Sequence, residues 1–310
     1  MTFRVNRLVL GFASLALAPL FACAGGDGTF NGAILDGGAA ETDASAAADS
    51  GGGTPTKGCG APAAATGYQK GLSLQVAGKA RTYNLYLPPG YNPSKAYPLV
   101  MLLHGDGGTG DGIRNSWKYD TIVGEKAIVA FPDGGNKTWA DGTAKATNGD
   151  LAFLSALNDS LQGTFCVDKS RVFLAGESRG AYFSNQAAYW LGGNVIRAVG
   201  VWAGGAPYGI GNADFDAQTG VLKPVVPAVG ALIMYGDKDD KYIIDGAEKD
   251  ALAHWKPWNS CKSTSKAVSP SPCVTFDGCA RAVTQCKVPG QGHGLWAPAP
   301  QATWDFFATF

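Results

Sequence analysis

Short, densely apolar runs alternate along this chain with longer stretches whose apolar residues recur at helical spacing. Residues 72–76 and 79–87 read as a strand pair around Ala77-Gly78, ended by Pro88-Pro89-Gly90. Residues 98–103 and 127–131 are near-continuous apolar runs, the pattern of strands buried on both faces of a parallel sheet. Residues 151–165 have helical spacing. Residues 171–175, β-branched and aromatic, read as another buried strand, and 181–191 as the helix after it. Residues 195–202 and 231–235 continue the strand series, 246–258 look helical, 281–287 form a last strand and 301–307 a closing helix. A strand pair followed by alternating strands and helices predicts an α/β protein. Its sheet should be mostly parallel and doubly wound, with antiparallel strands at the N-terminal end.

The first 57 residues follow another pattern. Arg4 and Arg7 precede an apolar run over residues 8–20, which has the form of a secretory signal and is too short to span a membrane. It ends in Leu20-Phe21-Ala22-Cys23, which resembles a bacterial lipobox, with Cys23 as the lipidated residue. Phe21 is unusual at its position, and ordinary cleavage nearby is the alternative. Residues 24–57 are Gly, Ala, Asp, Ser and Thr with almost no large apolar side chain, a composition that cannot offset its own ordering entropy. They are expected to form a flexible tether between a signal peptide at 1–23 and a single folded domain at 58–310. The expected location is outside the cytoplasm, as an extracellular protein or a lipoprotein anchored to a bacterial outer membrane, touching membrane only through the lipid.

Charge and cysteine content narrow the classes. Lys+Arg and Asp+Glu both number 25, and a net charge of zero argues against nucleic acid as a partner. Eight tryptophans among 11% aromatic residues suggest that some rings line a binding surface. Setting Cys23 aside leaves Cys59, Cys166, Cys261, Cys273, Cys279 and Cys286, an even number that reads as three disulfides in an exported chain. Export and the lack of paired C-x-x-C spacing argue against zinc, and the serine chemistry read below needs no metal or organic cofactor. Four of the six crowd into residues 261–286 and predict a disulfide-pinned loop before the last strand; the pairing stays open.

The stretch that carries chemistry is Gly176-Glu177-Ser178-Arg179-Gly180, between a predicted strand and a predicted helix. G-x-S-x-G in this context is a sharp turn that presents the serine hydroxyl at the carboxyl edge of a sheet. The bland alternative is a serine that caps the helix. A serine nucleophile needs a base and a group to orient that base. Three histidines exist. His104 precedes the serine, His254 lies in a predicted helix, and His293 lies in a turn after the last strand, where the order Ser…Asp…His requires the base. The acid should follow the 231–235 strand, where Asp237, Asp239 and Asp240 are available; their spacing does not fit a calcium loop. The glycine-rich His104-Gly-Asp-Gly-Gly108 follows a buried strand, so the N–H of Asp106 and that of Arg179 are candidates for an oxyanion hole. Residues 105–110 also satisfy G-x-G-x-x-G, with Asp133 downstream as a ribose-type acid. That dinucleotide reading is disfavoured, because export removes the cofactor and the stretch is not the first strand–turn unit.

These segments carry a resemblance. Residues 81–91 (Arg-Thr-Tyr-Asn-Leu-Tyr-Leu-Pro-Pro-Gly-Tyr), residues 97–105 (Tyr-Pro-Leu-Val-Met-Leu-Leu-His-Gly), Cys166-Val-Asp-Lys-Ser-Arg171, Gly176–Gly180 and Gly292-His293 resemble carbohydrate esterase family one. That family includes secreted feruloyl esterases, acetylxylan esterases and polyhydroxybutyrate depolymerase-like proteins. The resemblance covers about residue 59 to the C-terminus and implies the α/β-hydrolase fold. It also implies a triad of Ser178, His293 and an acid. In related hydrolases the carboxylate stands three residues after the glycine ending its strand, which selects Asp239. Glu177 and Ala181 depart from the most familiar residues around the serine, and no cysteines flank Ser178 and His293 directly.

The implied activity is a serine carboxylic-ester hydrolase acting on feruloyl or acetyl esters of plant cell-wall polysaccharide or its oligosaccharides. Trp139, in the loop after the 127–131 strand, is the first candidate for a substrate-binding ring, with Trp202, at the end of the 195–202 strand, and Trp296, beside His293, next; the alternative is that two of the three are core. Short polyhydroxyalkanoate esters are the alternative substrate. A non-catalytic glycan-binding surface lipoprotein is the alternative of another class, and a peptidase on the same scaffold is a third.

Overall fold

The computed structural model of the chain describes residues 56–206, 222–225, 227–239 and 247–310. The signal sequence, Cys23, residues 24–55 of the expected tether, Asp240 and Gly246 lie outside the described residues. Thr56 is buried, its hydroxyl donating to Phe165 C=O at 2.8 Å and accepting from Val167 N–H at 3.1 Å. The folded domain therefore includes Thr56, slightly ahead of the expected start at 58.

Among the described residues, ten strands form one sheet. They are β1 (Gly67–Val76), β2 (Lys79–Leu87), β3 (Tyr97–Leu103), β4 (Ile128–Pro132), β5 (Val167–Glu177), β6 (Ala198–Trp202), β7 (Gly230–Gly236), β8 (Ser265–Ala267), β9 (Cys273–Phe276) and β10 (Val283–Val288). Their spatial order is β1-β2-β4-β3-β5-β6-β7-β10-β9-β8. Parallel pairing runs from β4 through β3, β5, β6 and β7 to β10, and antiparallel strands flank it on both sides. This is the α/β-hydrolase fold. The helices are α1 (Gly110–Trp117), α2 (Tyr119–Val123), α3 (Gly149–Thr164), α4 (Arg179–Leu191), α5 (Ala247–Trp258) and α6 (Ala299–Phe307).

Strand alternation divides the interior into two cores. Leu99, Met101 and Leu103 of β3, with Val172 and Leu174 of β5, face the core that Leu154 and Leu157 of α3, Phe183 of α4 and Trp255 of α5 complete. Val100, Leu102, Phe173 and Ala175 face the opposite core, with Ile113 and Trp117 of α1 and Phe307 of α6. Both faces are covered, so these strands read as continuous apolar runs. Asn148 caps α3 by accepting from the N–H groups of Asp150 and Leu151 at 3.1 and 2.9 Å.

Two regions differ from the sequence expectation. The stretch expected as a pinned loop contains β8 and β9, which extend the sheet beyond β10. Helix α1 carries two glycines in eight residues and has little propensity of its own; the Thr109 cap and burial of Ile113 and Trp117 hold it. The pairing left open by sequence is Cys59–Cys166, Cys261–Cys279 and Cys273–Cys286. The first joins the chain entry to the residue before β5 across 107 positions. Closing so long a loop restricts the unfolded chain strongly. Replacing both Cys59 and Cys166 by Ala should lower stability by roughly 2–5 kcal/mol, read as a fall in the urea midpoint at unchanged slope.

Candidate active site

β5 ends at Glu177 and α4 begins at Arg179, which leaves Ser178 alone in the turn. Its backbone lies at φ 52° and ψ −125°, a region that costs a non-glycine residue about 1–3 kcal/mol. Several contacts hold it there. Ser178 N–H donates to Trp202 C=O at 2.9 Å, and Ser178 C=O accepts from Ala181 and Tyr182 N–H at 2.9 and 3.1 Å. Gly180 packs so closely on the end of β3 that a Cβ would lie 2.4 Å from the carbonyl oxygens of both Leu103 and His104. A Cβ on Gly176 would come within 2.7 Å of the Gly180 carbonyl. The glycines of the motif are thus fixed by backbone approach.

The turn after β10 brings His293 Nε2 to 3.0 Å from Ser178 Oγ. His293 Nδ1 lies 2.8 Å from Asp239 Oδ2, which follows β7 and is 6% exposed. With Nδ1–H donating to that carboxylate, Nε2 is left as the acceptor facing the serine hydroxyl. The three groups come from the carboxyl ends of β5, β7 and β10 and form one chain of hydrogen bonds. The ends of β7 and β10 are themselves in contact, since a Cβ on Gly236 would lie 2.0 Å from Gln291 C=O. Asp237, the other described aspartate after β7, accepts from Gly290 N–H at 2.7 Å and so braces the histidine turn.

The His104–Gly108 loop abuts Ser178: a Cβ on Gly105 would be 3.3 Å from Ser178 Cβ. This sets Gly105 and Asp106 on one flank of Ser178, while Arg179 opens α4 on the other. His104 itself is 1% exposed and has a different part from His293. Its Nδ1 donates to Gly105 C=O at 2.7 Å and its Nε2 accepts from Gly134 N–H at 3.0 Å, which fixes a neutral ring. Burial pushes its pKa below the ordinary histidine value. His254, on α5, is half-buried beside Trp258.

The expected tryptophan surface is corrected by the structure. Trp139 is 1% exposed, stacks on Phe183 at 5.4 Å between ring centroids and donates Nε1–H to His104 C=O at 2.8 Å. Trp202 is also 1% exposed and donates Nε1–H to His293 C=O at 3.1 Å. Both rings brace the site from beneath. Trp296 is half-buried, tilted against Trp202 at 6.4 Å. Gly110 of the G-x-G-x-x-G stretch and the downstream Asp133 are engaged within the protein. Asp133 accepts from Gly110 N–H at 2.7 Å and Thr82 Oγ1–H at 2.8 Å, and a Cβ on Gly110 would meet Phe131 C=O at 2.2 Å.

Sequence reasoning missed two side chains at this edge. Glu177 accepts from Trp117 Nε1–H at 2.8 Å, which secures the residue before Ser178. The Arg179 guanidinium donates to Asp141 at 2.8 Å and to Trp139 C=O at 3.3 Å. Only the motif position pointed to Arg179, and only for its backbone.

Comparison with known proteins places the chain in a family. Residues 75–190 match the family model described as "Putative esterase". Feruloyl esterase C of Emericella nidulans is 30% identical over 247 residues, covering 73% of this chain and 83% of that protein. The chain belongs to this esterase family, that of the feruloyl esterases. Feruloyl esterase D of Neurospora crassa is 25% identical over 286 residues, covering 83% of the chain and 91% of that protein. The fold is shared with an acetyl xylan esterase from Aspergillus awamori, at TM-score 0.56 and 16% identity over 74% of this chain and 94% of that one. It is shared too with a feruloyl esterase module from Clostridium thermocellum complexed with sinapinate, at TM-score 0.52 and 16% identity over 77% and 86%. The protein is thus a carboxylic-ester hydrolase, and the non-catalytic alternative falls.

In this esterase the buried, neutral His104 ties the loop beside Ser178 to the loop after β4. The unfolded chain binds a proton to this ring at higher pH than the folded protein does. Stability from this site is therefore full above the ordinary histidine value of about 6.5 and declines as pH falls below it. Thermal unfolding followed from pH 7.5 to 5 should show a falling midpoint, and His104→Gln should flatten that dependence while lowering stability at pH 7.5.

Proposed function

We propose that the esterase cleaves feruloyl or acetyl esters of plant cell-wall polysaccharide through an acyl-enzyme on Ser178. The observation that carries this is the Ser178–His293–Asp239 relay, with bonds of 3.0 and 2.8 Å. Ser178 Oγ attacks the ester carbonyl as its proton passes to His293 Nε2, and the carbonyl oxygen takes the negative charge. Asp239 orients the ring and stabilises the imidazolium. The N–H groups of Arg179 and Asp106 donate to the oxyanion. Collapse of the tetrahedral adduct expels the sugar alkoxide, which takes the proton from His293. Water, deprotonated by His293, then attacks the acyl-enzyme; its collapse releases the carboxylic acid and returns the proton to Ser178.

The substrate class is supported by the feruloyl esterase relatives. With Trp139 and Trp202 buried, Trp296 is the remaining candidate ring of the three for contact with an aromatic acyl group. Export belongs to the same reading: the N-terminal signal pattern and three disulfides suit an oxidising compartment. Anchoring through Cys23 rests on the lipobox-like sequence alone.

Hydrolysis of methyl ferulate, p-nitrophenyl acetate, acetylated xylan and hydroxybutyrate oligomers should be measured beside Ser178→Ala. Loss of the nucleophile should reduce kcat by roughly 10⁶, and Asp239→Asn by about 10⁴. Ferulate release supports the feruloyl assignment. Acetate release without ferulate moves the substrate to acetyl esters, hydroxybutyrate cleavage alone moves it to polyhydroxyalkanoates, and equal activity in Ser178→Ala rejects the mechanism.

A further inference from the structure

The two N–H groups assigned to the oxyanion hole sit on different strand ends. Arg179 opens α4 after β5, and Asp106 lies in the loop after β3. Fixed donors stabilise an oxyanion only at the right spacing, and misplacement by about 1 Å removes much of the effect. The side chains around these donors show what sets that spacing. The Asp106 carboxylate accepts from Thr138 Oγ1–H and lies 3.9 Å from Arg179 Nη1. The same guanidinium donates through Nη2 to Asp141 at 2.8 Å and through Nε to Trp139 C=O at 3.3 Å. Two further bonds complete the connection: Gly107 N–H to Lys137 C=O at 2.8 Å, and Gln186 Nε2–H of α4 to Asp141 C=O at 3.0 Å. Residues 137–141 are thereby fastened to α4 on one side and to the oxyanion loop on the other. Arg179 reaches all three.

We propose that the Arg179 side chain is a positioning residue, holding the Asp106 loop at the spacing the oxyanion hole requires. This rests on the serine-esterase reading above. One residue then supplies the first donor from its backbone and fixes the second through its guanidinium. Arg179 and Asp106 have side chains 43% and 49% exposed, and ion pairs so exposed contribute little to stability. Their effect is on geometry. A planar fork of donors can serve two carboxylates and a carbonyl together, whereas a lysine ammonium is a single point of charge.

Arg179→Ala, Arg179→Lys and Ser178→Ala should be compared with the wild-type full chain on p-nitrophenyl acetate. Inhibition by an aryl trifluoromethyl ketone, whose adduct with Ser178 carries an oxyanion, should be measured in parallel. Arg179→Ala should lower kcat about 10- to 100-fold with little change in KM. The inhibition constant for the ketone should rise by the factor that kcat/KM falls, and the thermal midpoint should stay near that of the wild type. Arg179→Lys should recover part of the loss. Unchanged kcat and ketone affinity in Arg179→Ala, with Ser178→Ala inactive, overturn the inference and leave the esterase mechanism intact. A rise in KM alone makes Arg179 a substrate contact and also overturns it. Activity surviving in Ser178→Ala sinks the mechanism itself.

Discussion

Everything at the active edge depends on the chain making one strained turn at Ser178. A backbone at φ 52° persists in a non-glycine residue only where its surroundings leave no alternative. Here the surroundings are the ends of two neighbouring strands. The end of β3 receives Gly180 at a distance that excludes any side chain, and the end of β6 accepts the Ser178 N–H through Trp202. Trp202 also holds the carbonyl of His293 with its indole. A strand that contributes no member of the Ser–His–Asp chain therefore fixes the backbone of two of them. The spacing between Ser178 and His293 is a property of the sheet.

The same logic extends to the loop after β4. Asn136 and Lys137 adopt left-handed backbones in succession, at φ 54° and 62°. Such a loop would have many conformations in isolation. Asp150, nearly buried, accepts from the N–H groups of Gly135 and Ala140 and pairs with Arg81 at 2.6 Å. Asn148 caps α3 and donates to the carbonyls of Ala140 and Thr143. Burial makes these polar contacts matter, because each group would otherwise lack a partner away from water. The loop is therefore held in one shape by the protein's own groups.

How much of this was legible varied with how local its cause is. The runs that became β3 and β5 were readable because a strand buried on both faces must be apolar throughout, and Gly176–Gly180 because its turn admits few residues. After β7 the residues alone leave Asp237, Asp239 and Asp240 open; only the resemblance to related hydrolases selects Asp239, the one that meets His293. Trp139 misled because a tryptophan in a loop after a strand has the sequence of an exposed ring. Its burial is set by Phe183 and by the His104 carbonyl, residues far away in the chain. β8 and β9 were invisible for a related reason. β8 is wholly exposed and β9 only partly buried, so their pattern carries little apolar signal. The Arg179 network joins two separate loops to the start of α4, and no spacing rule connects them.

The two outer margins of the sheet have a consequence of their own. A strand edge is an open row of amide and carbonyl groups, ready to pair with another molecule's backbone. At one margin, β1 carries a bulge between Gln69 and Leu72 that includes Lys70, whose ammonium pairs with Asp111 at 3.0 Å. At the other, β8 is three residues long, with a lysine at its centre. Neither offers a long, flat, uncharged template. Among the described residues, both margins of the sheet thus have the bent or short, lysine-bearing form that disfavours pairing with a neighbour's strand.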